Sequence, residues 1–544
     1  MNDATIARRK RLHQQYAEYS GLVDASRLAL LNGPRVSITD KSLCSLWKSA
    51  PSHIKDTEVF AHIYVHVPFC KSICSFCNYE RLRPSSPTEL ENYTENVLAQ
   101  IALIAPYVSH LTFSSIYFGG GTPSVLSAKH LDVIMGALDS SFQFHHDNGR
   151  HMEFDPAVMN AQKLAVARKY GFEKFSFGIQ SLDDQVNKAH NRGPQSRKLL
   201  QRRFQELRSA QVPFVSCDIL LGLEGTTPEQ MLVEIEELLQ EDGHKNIDIF
   251  MLTPTESYVS KHFEGDIDRF WNHLKRFEER VLPRLPEMAT RYGYNLYRGA
   301  GHTMSLTKVG NNKSRAKRSY CPLSHQQKAP VHVLGFGPSA RSSIFGALQY
   351  QNMREDGRWF YEGHHLTYTD EARIHLCYDL RDRDTIDEQL FYRLHGALFS
   401  ERFPLAQKVW SEQNLLHGNT LKSQGRTDRT RSLMWLVEEE KVEQEVARHL
   451  SFARDTKALR RYFHPLYDGA VLPGGSIFEG IDSSEVLIRI QGRVYPFRIA
   501  PPFEKEGLRL ISKRVVLDKD RNSCLRALKV LQKLAKKNRE KMMR

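Results

Sequence analysis

Residues 62–77 read HIYVHVPFCKSICSFC. Residues 62–69, HIYVHVPF, form a short β-rich run that reads as a strand. Cys70, Cys74 and Cys77 follow in CX3CX2C spacing on one short segment. The stretch reads as a strand that delivers three thiols to a loop at its carboxyl end.

Similar short runs recur on either side of longer amphipathic stretches: SIYFGGG (115–121), HMEF (151–154), KFSFGIQ (174–180), PFVSCDILLG (213–222) and NIDIFML (246–252). The segments between them, such as Pro87 to Ala105 and Ser196 to Gln211, are long enough for helices. Strands that alternate with helices predict parallel βα units, since parallel neighbours need a crossover connection. Six such units imply an α/β fold, either a partial (β/α)6 barrel of the TIM type or an open doubly wound sheet. The expected organisation is a helical N-terminal extension (1–58), the βα core (59–260) and a barrel-completing segment lining the substrate cavity (261–365). A helical C-terminal domain (366–465) and a small β-rich module with a basic terminal helix (466–544) complete it. The glycine-rich run VLGFGPSARSS (333–343) reads as a tight turn beside the cavity.

A chain of 544 residues exceeds what one hydrophobic core supports, so two to four domains are expected. Hydrophobic content of 41%, charged content of 26% and a mean hydropathy of −0.47 are those of a soluble protein. No apolar run reaches the length of a membrane-spanning helix. The N-terminal MNDATIARRKRLHQQY is basic but is followed by no apolar run, so no secretory signal is expected and the location read is cytoplasmic. Eight cysteines in so long a chain, three of them within eight residues, point to metal binding in a reducing compartment and not to a disulfide framework. The net charge of +13 is uneven: the last 24 residues hold nine Lys or Arg and one acid, a net +8. Leu525, Leu528, Leu531 and Ala535 recur there at helical spacing, an apolar stripe on a basic helix. It suits a docked terminal helix or an acidic partner, such as a flavodoxin or ferredoxin acting as electron donor; nucleic acid is not the expected partner.

Thiolates suit soft iron–sulfur centres. Three cysteines on one loop can hold three irons of a 4Fe–4S cubane and leave the fourth with an open position, to which S-adenosylmethionine can chelate. The other reading is a zinc site with a distant fourth ligand, for example Cys217 or a histidine. Zinc loops usually pair CX2C with a second CX2C or with paired histidines, and the sequence has neither.

Taken in order, YVHVPFC (64–70), YFGGGTPS (117–124), EFDP (153–156), GFEKFSFGIQS (171–181), NR (191–192), DILLGLEGTT (218–227) and LGFGPSARS (334–342) resemble the radical S-adenosylmethionine superfamily. More narrowly, they resemble the branch of oxygen-independent coproporphyrinogen III oxidase and its heme-chaperone, heme-degrading and methyltransferase relatives. The resemblance covers roughly residues 60–355. It implies a 4Fe–4S cluster on Cys70, Cys74 and Cys77 and one or two molecules of S-adenosylmethionine. By the same resemblance Tyr64 lies near the cluster, and Gly120, Gly121 and Thr122 meet the methionine end. Glu153, Gln180, Arg192 and Asp218 bind the rest, with Arg192 suited to a carboxylate and Asp218 to ribose hydroxyls.

The implied activity is reductive cleavage of S-adenosylmethionine and radical chemistry on a tetrapyrrole or other conjugated substrate, by decarboxylation, methyl transfer or a related step. A second implied role is a heme chaperone, with His62, His66, His151, His302 or His332 as candidate iron ligands; a third is a scaffold with zinc or no metal. No catalytic residue beyond the cofactor site is indicated. Three departures count against simple coproporphyrinogen decarboxylation. Tyr79 stands where the oxidase has a further cysteine, Lys174 where it favours arginine, and GYNLYRGAGH (293–302) where relatives have an acidic pattern.

Overall fold

In a computed structural model of the protein, residues 36–421 are described, with breaks at 55–56, 80, 194, 299–302, 311–329, 356–357, 367–369, 373, 376–385 and at positions between 405 and 419. Strand and helix segments between 470 and 537 are described as well. The described residues form two compact units: one runs to Arg402 and takes in residues 416–421, and the other includes those from 470 onward.

The first unit opens with β1 (Val36–Ile38), helix α1 (Asp40–Lys48) and a small hairpin of β2 (His53–Ile54) and β3 (Thr57–Glu58). This corrects the purely helical reading of residues 1–58 over its described part; residues 1–35 lie outside the described residues. The cause is tertiary, since β1 pairs antiparallel with β15 (Arg358–His365), more than 300 residues on, which no local pattern encodes.

Six parallel strands follow: β4 (Phe60–Val67), β5 (Thr112–Gly120), β6 (Gln143–Phe154), β7 (Lys174–Gln180), β8 (Phe214–Leu221) and β9 (Asn246–Met251). Helices α2 (Pro87–Ile104), α3 (Ala128–Ser141), α4 (Ala161–Lys169), α5 (Asp184–Ala189), α6 (Arg197–Ser209) and α7 (Pro228–Gln240) lie between them, followed by α8 (Glu256–His262), α9 (Ile267–Arg280) and α10 (Leu285–Arg291). Their starts are written in the chain. Helix α2 has Pro87 in its first turn, where the missing N–H costs nothing, and Ser86 caps the Glu89 N–H at 3.3 Å. Helix α7 opens with a capping box of Thr227 and Gln230.

Strands β10 (Tyr294–Arg298) and β11 (Thr303–Lys308) extend the sheet antiparallel beyond β9. On the other side β12 (Val331–Phe336) pairs parallel with β4 and leads into β13 (Arg341–Ile344), β14 (Leu348–Glu355) and β15, all antiparallel. The result is a thirteen-stranded sheet with edges at β1 and β10, so among the described residues the barrel is partial and open. The run 333–343 forms β12, a turn and β13. Gly337 (φ +91°) sits so close to the His66 carbonyl that a Cβ would lie 2.4 Å from it.

The two faces of the parallel sheet differ sharply. Ala61, Ile63, Val65 and Val67 of β4, with Phe175, Phe177 and Ile179 of β7 and Cys217 and Ile219 of β8, are almost fully buried in one core with the helices. Burying such a side chain contributes roughly 2 kcal/mol. The outer face therefore holds the sheet together, and the inner face can carry polar groups. Further on, α11 (Glu388–His395) and a hairpin of β16 (Leu416–His417) and β17 (Thr420–Leu421) belong to the first unit; most of the expected helical stretch 366–465 lies outside the described residues.

The second unit is a five-stranded antiparallel sheet, β18 (Ala470–Leu472), β19 (Ser476–Asp482), β20 (Glu485–Ile490), β21 (Arg493–Phe503) and β22 (Gly507–Ser512), in sequential order. Helical residues 525–534 bury Ala527 and Leu531 against Phe478, Val486, Ile488 and Phe497. The apolar stripe is thus shifted from the one read in the sequence. Leu525 is exposed, Ala535 lies outside the described residues, and the small Ala527 lets the helix approach the sheet closely. Arg526, Lys529 and Lys533 face outward.

Candidate cluster and cofactor site

The alternation that buries one face of each strand leaves polar side chains on the other. His62 of β4 pairs with Ser115 of β5 at 2.8 Å, His151 of β6 with Ser176 of β7 at 2.7 Å, and Ser216 of β8 with Asp248 of β9 at 2.7 Å. The Tyr64 hydroxyl meets His66 Nδ1 at 2.8 Å, and Tyr117 donates a short hydrogen bond to Glu153. The Tyr64 and Tyr117 rings lie 5.9 Å apart, and Tyr117 stands edge-on to His151 at 4.6 Å. Tyr64, Tyr117, Glu153, Lys174, Gln180, Asp218 and Asp248 are half-buried, whereas their outward neighbours are buried. The inner face is a polar, largely buried concavity aimed by the strands, at the end where parallel βα folds place their ligands.

The cysteine loop hangs from β4 at that end. It is closed by Cys70 N–H to Leu82 O (2.8 Å) and Leu82 N–H to Pro68 O (2.7 Å). The glycine run after β5 is bonded to it directly: Gly121 N–H donates to Val67 O at 2.7 Å and Thr122 N–H to Phe69 O at 2.8 Å. Gly120 adopts φ +104°, a Cβ there would lie 2.6 Å from the His66 ring, and one on Gly121 would lie 2.8 Å from both carbonyls. These glycines let two backbones meet. The Gly120 N–H donates to Glu153, so the backbone donors of Gly120, Gly121 and Thr122 tie the site together.

On its far side the loop rests on residues 190–192. Ser75 N–H donates to His190 O at 3.0 Å and Asn191 Nδ2 to Ile73 O at 2.7 Å. The Ser75 hydroxyl sits between His190 Nδ1 (3.1 Å) and His262 Nε2 (3.0 Å). Arg192 follows immediately. It reaches Cys74 Sγ at 3.8 Å and Asp155 at 3.6 Å, and bonds the Gly178 carbonyl. Gly178 is the floor of this crossing: a Cβ would fall 2.8 Å from the Gln180 amide and 3.0 Å from the Arg192 guanidinium. Gln180 holds φ +71°, a left-handed conformation that non-glycine residues seldom adopt.

Burial controls the charges. It pushes Cys70 up to about 11, opposed by the Thr122 hydroxyl 3.5 Å away and reinforced by Cys77 and Cys74, and it raises Cys77 as well. Burial raises Glu153 to about 7 against the lowering pull of Tyr117 and the Gly120 N–H. Asp218 is held far above the carboxylate range by burial and then by Asp248 and Glu153, with Lys174 and Arg192 pulling back. Burial disfavours the Arg192 charge, but Asp155 and Cys74 more than offset it.

The residues fit a 4Fe–4S cluster. Three thiols share one loop within electrostatic reach of one another, and a buried guanidinium lies beside them. Among the described residues no group of three His, Cys, Asp or Glu side chains is placed to hold a single metal ion. Cys217, the distant zinc ligand considered above, faces the helices on the outer side of β8 and is fully buried there. Arg192 Nε is buried and has no hydrogen-bond partner among the described residues, an atom left over for a ligand.

Of the residues indicated by sequence, Tyr64, Glu153, Gln180, Arg192 and Asp218 lie on or beside the one concavity, with Gly120 to Thr122 at its rim. Tyr79 is 62% exposed on the loop surface. Among the candidate iron ligands, His62, His66 and His151 lie on the inner face. His332 is fully buried and uses both nitrogens, with Nε2 to Pro51 O at 2.9 Å and Nδ1 accepting from Phe345 N–H at 3.1 Å. His302 lies outside the described residues. Tyr117, Asp155, Asp248, Ser75, His190 and His262 were not indicated; strand alternation could have found Tyr117 and Asp248, but no spacing links Ser75 to two histidines so far along the chain.

Comparison with known proteins agrees. The family described as the radical SAM superfamily matches residues 64–267. Residues 64–267 thus form a radical SAM domain. The relatives the chain is similar to are oxygen-independent coproporphyrinogen III oxidases and the heme chaperone HemW. It is 29% identical to the Synechocystis oxidase over 34% of this chain, a match that spans only 39% of that relative. It is 26% identical to the Salmonella typhimurium oxidase, covering 63% of this chain and 76% of the relative. It is 21% identical to the heme chaperone HemW of Bacillus subtilis, covering 65% of this chain and 92% of the relative. The solved structure of coproporphyrinogen III oxidase (HemN) from Escherichia coli superposes with a TM-score of 0.60 at 19% identity, covering 74% of this chain and 93% of that one, which establishes the likeness of fold. The radical SAM assignment covers the six parallel strands and the loops they carry. No helix among the described residues is long and apolar enough to cross a membrane.

Proposed function

We propose that this chain is a radical enzyme in which Cys70, Cys74 and Cys77 hold a 4Fe–4S cluster and the inner face of β4 to β9 holds S-adenosylmethionine and a tetrapyrrole or other conjugated substrate. When bound, the cluster supplies an open iron for S-adenosylmethionine and the electron that cleaves its sulfonium. The chain's own residues position and screen. Arg192 sets a fixed positive charge against Cys74, Glu153 and Asp218 offer carboxyls for ammonium and hydroxyl groups, and Tyr64 and Tyr117 give the concavity aromatic walls. Gln180 and the Gly120–Thr122 run border the same space. A low-potential donor such as a flavodoxin or ferredoxin would deliver the electron, in the cytoplasm.

The observation that carries this reading is the juxtaposition of the three-thiol loop, Arg192 and a half-buried polar concavity at one end of the sheet. The exposed Tyr79, in place of an oxidase cysteine, supports a reaction other than simple coproporphyrinogen decarboxylation. A second reading, a heme chaperone that keeps the cluster, draws on the match spanning 92% of HemW. Anaerobic reconstitution with iron and sulfide, followed by dithionite and labelled S-adenosylmethionine, separates them. Formation of 5′-deoxyadenosine that is lost in Cys74→Ala supports the enzyme. Saturable heme binding with no 5′-deoxyadenosine supports the chaperone.

A further inference from the structure

A pocket of about 300 Å³ opens against helix α9 and is joined to the cysteine loop through His262, which bonds Ser75. Its wall is one helical face: Arg269, Asn272, His273 and Arg276 fall at spacings of three, four and seven residues. The adjoining face of α9, with Phe270, Leu274 and Phe277, is packed into the core, and buried His273 lies at the boundary between the two. The polar face is therefore directed at the pocket by the burial of the other.

The pocket has a defined charge. His273 donates through Nε2 to Gly222 O at 3.1 Å, which leaves Nδ1 to accept from the Arg276 guanidinium at 3.0 Å. Arg276 is thereby held in one orientation. Arg269 has only an exposed carboxylate, Glu264, at 3.4 Å, a contact worth little in water. His262 closes the inner end, with Nδ1 3.8 Å from Glu224 and Nε2 on Ser75 of the cysteine loop. Burial and the neighbouring His190 hold His262 down at about 4, so it is neutral at physiological pH. Among the lining residues Arg269 and Arg276 stand against one carboxylate, Glu224, with Glu264 on the exposed side of Arg269, and Asn272 lies between the arginines.

We infer that this pocket is a binding site for a carboxylate or phosphate group, presented by a small anionic ligand beside the cysteine loop. Arg269 and Arg276 supply forked donors that match the planar or tetrahedral oxyanion, Asn272 adds a neutral donor, and Glu224 sets a limit on affinity by repulsion. The site lies outside the concavity proposed for S-adenosylmethionine and stands or falls independently of it.

The test is calorimetric titration of the full-length reconstituted protein with inorganic phosphate in one arm and succinate in the other. Saturable one-site binding in either arm is expected, and the arm that saturates identifies the oxyanion. Arg269→Gln and Arg276→Gln should each weaken it by about tenfold, the loss of one charge-assisted hydrogen bond, and Glu224→Gln should tighten it. Because Arg276 also orients His273, thermal unfolding checks that variant, and the exposed Arg269 decides if it is unstable. No saturable binding in either arm, or binding indifferent to Arg269→Gln and Glu224→Gln, overturns the assignment.

Discussion

Arg192 lays its guanidinium against the Cys74 thiol, with Nη1 3.8 Å from Sγ, while the same group lies 3.6 Å from Asp155. The side chains of Arg192 and Asp155 are only 10% and 13% exposed. Removing one member of a buried pair strands the other, at a cost of about 3 kcal/mol. Arg192→Ala should lose stability on that scale in denaturant titrations and retain less iron and sulfide per chain. Adding Asp155→Asn should restore much of the stability but not the iron. Full iron retention in Arg192→Ala would detach this residue from the cluster site.

Gly121 and Gly225 form a matched pair of tests. A methyl on Gly121 collides with the Val67 and Phe69 carbonyls, whereas Gly225 has φ +88° and nothing within 4 Å. Gly225→Ala should cost about 1 kcal/mol from backbone strain alone. Gly121→Ala should cost more and expose the 67–70 and 121–122 amides to hydrogen exchange. Equal effects of the two substitutions would mean that the contact between the loops is not tight.

Glu153 makes stability fall as pH rises from 4.5 to about 7. Its folded value of about 7 lies above the ordinary 4.5, so the folded state binds the proton more tightly than the unfolded chain. Its contribution to stability is complete below pH 4.5 and is lost as pH rises through 7, at up to about 1.4 kcal/mol per unit. Glu153→Gln should therefore gain on the wild type between pH 5 and 8 in urea unfolding of the metal-free protein. Parallel curves for the two proteins would refute the raised value.

The buried histidines act in the opposite direction. Burial lowers His244 and His332 to about 4, and each gives a hydrogen bond to a backbone carbonyl, Leu238 O at 2.7 Å and Pro51 O at 2.9 Å. Their stabilisation is present above pH 6.5 and is lost as pH falls through 4. Imidazole NMR titration should find both still neutral at pH 5. An ordinary midpoint for either would show that it is more solvated than described.

Much of the core was legible because short β-rich runs and the helix-length segments between them are local signals, and the six runs became six parallel neighbours. Cys70, Cys74 and Cys77 were legible from spacing alone. What escaped was pairing over long separations. Nothing in residues 36–38 indicates a partner at 361–363. The meeting of Ser75, His190, His262 and Glu224 likewise depends on where α5, β8 and α8 end in space, and single residues at helix and strand ends leave no periodic trace.

The parallel pairing of β12 with β4 bears on how the protein is made. β4 carries the cysteine loop, and its second neighbour, residues 331–336, is synthesised more than 260 positions later. Until then β4 is an open edge, with unpaired N–H and C=O groups beside reactive thiols. Closure of so distant a pair is slow, and a chain stopped before residue 331 keeps an edge suited to aggregation. Loading of the thiols on a finished sheet accordingly waits until residues 331–336 have been made, and truncations ending before β12 should be insoluble even though they contain every cysteine of the loop.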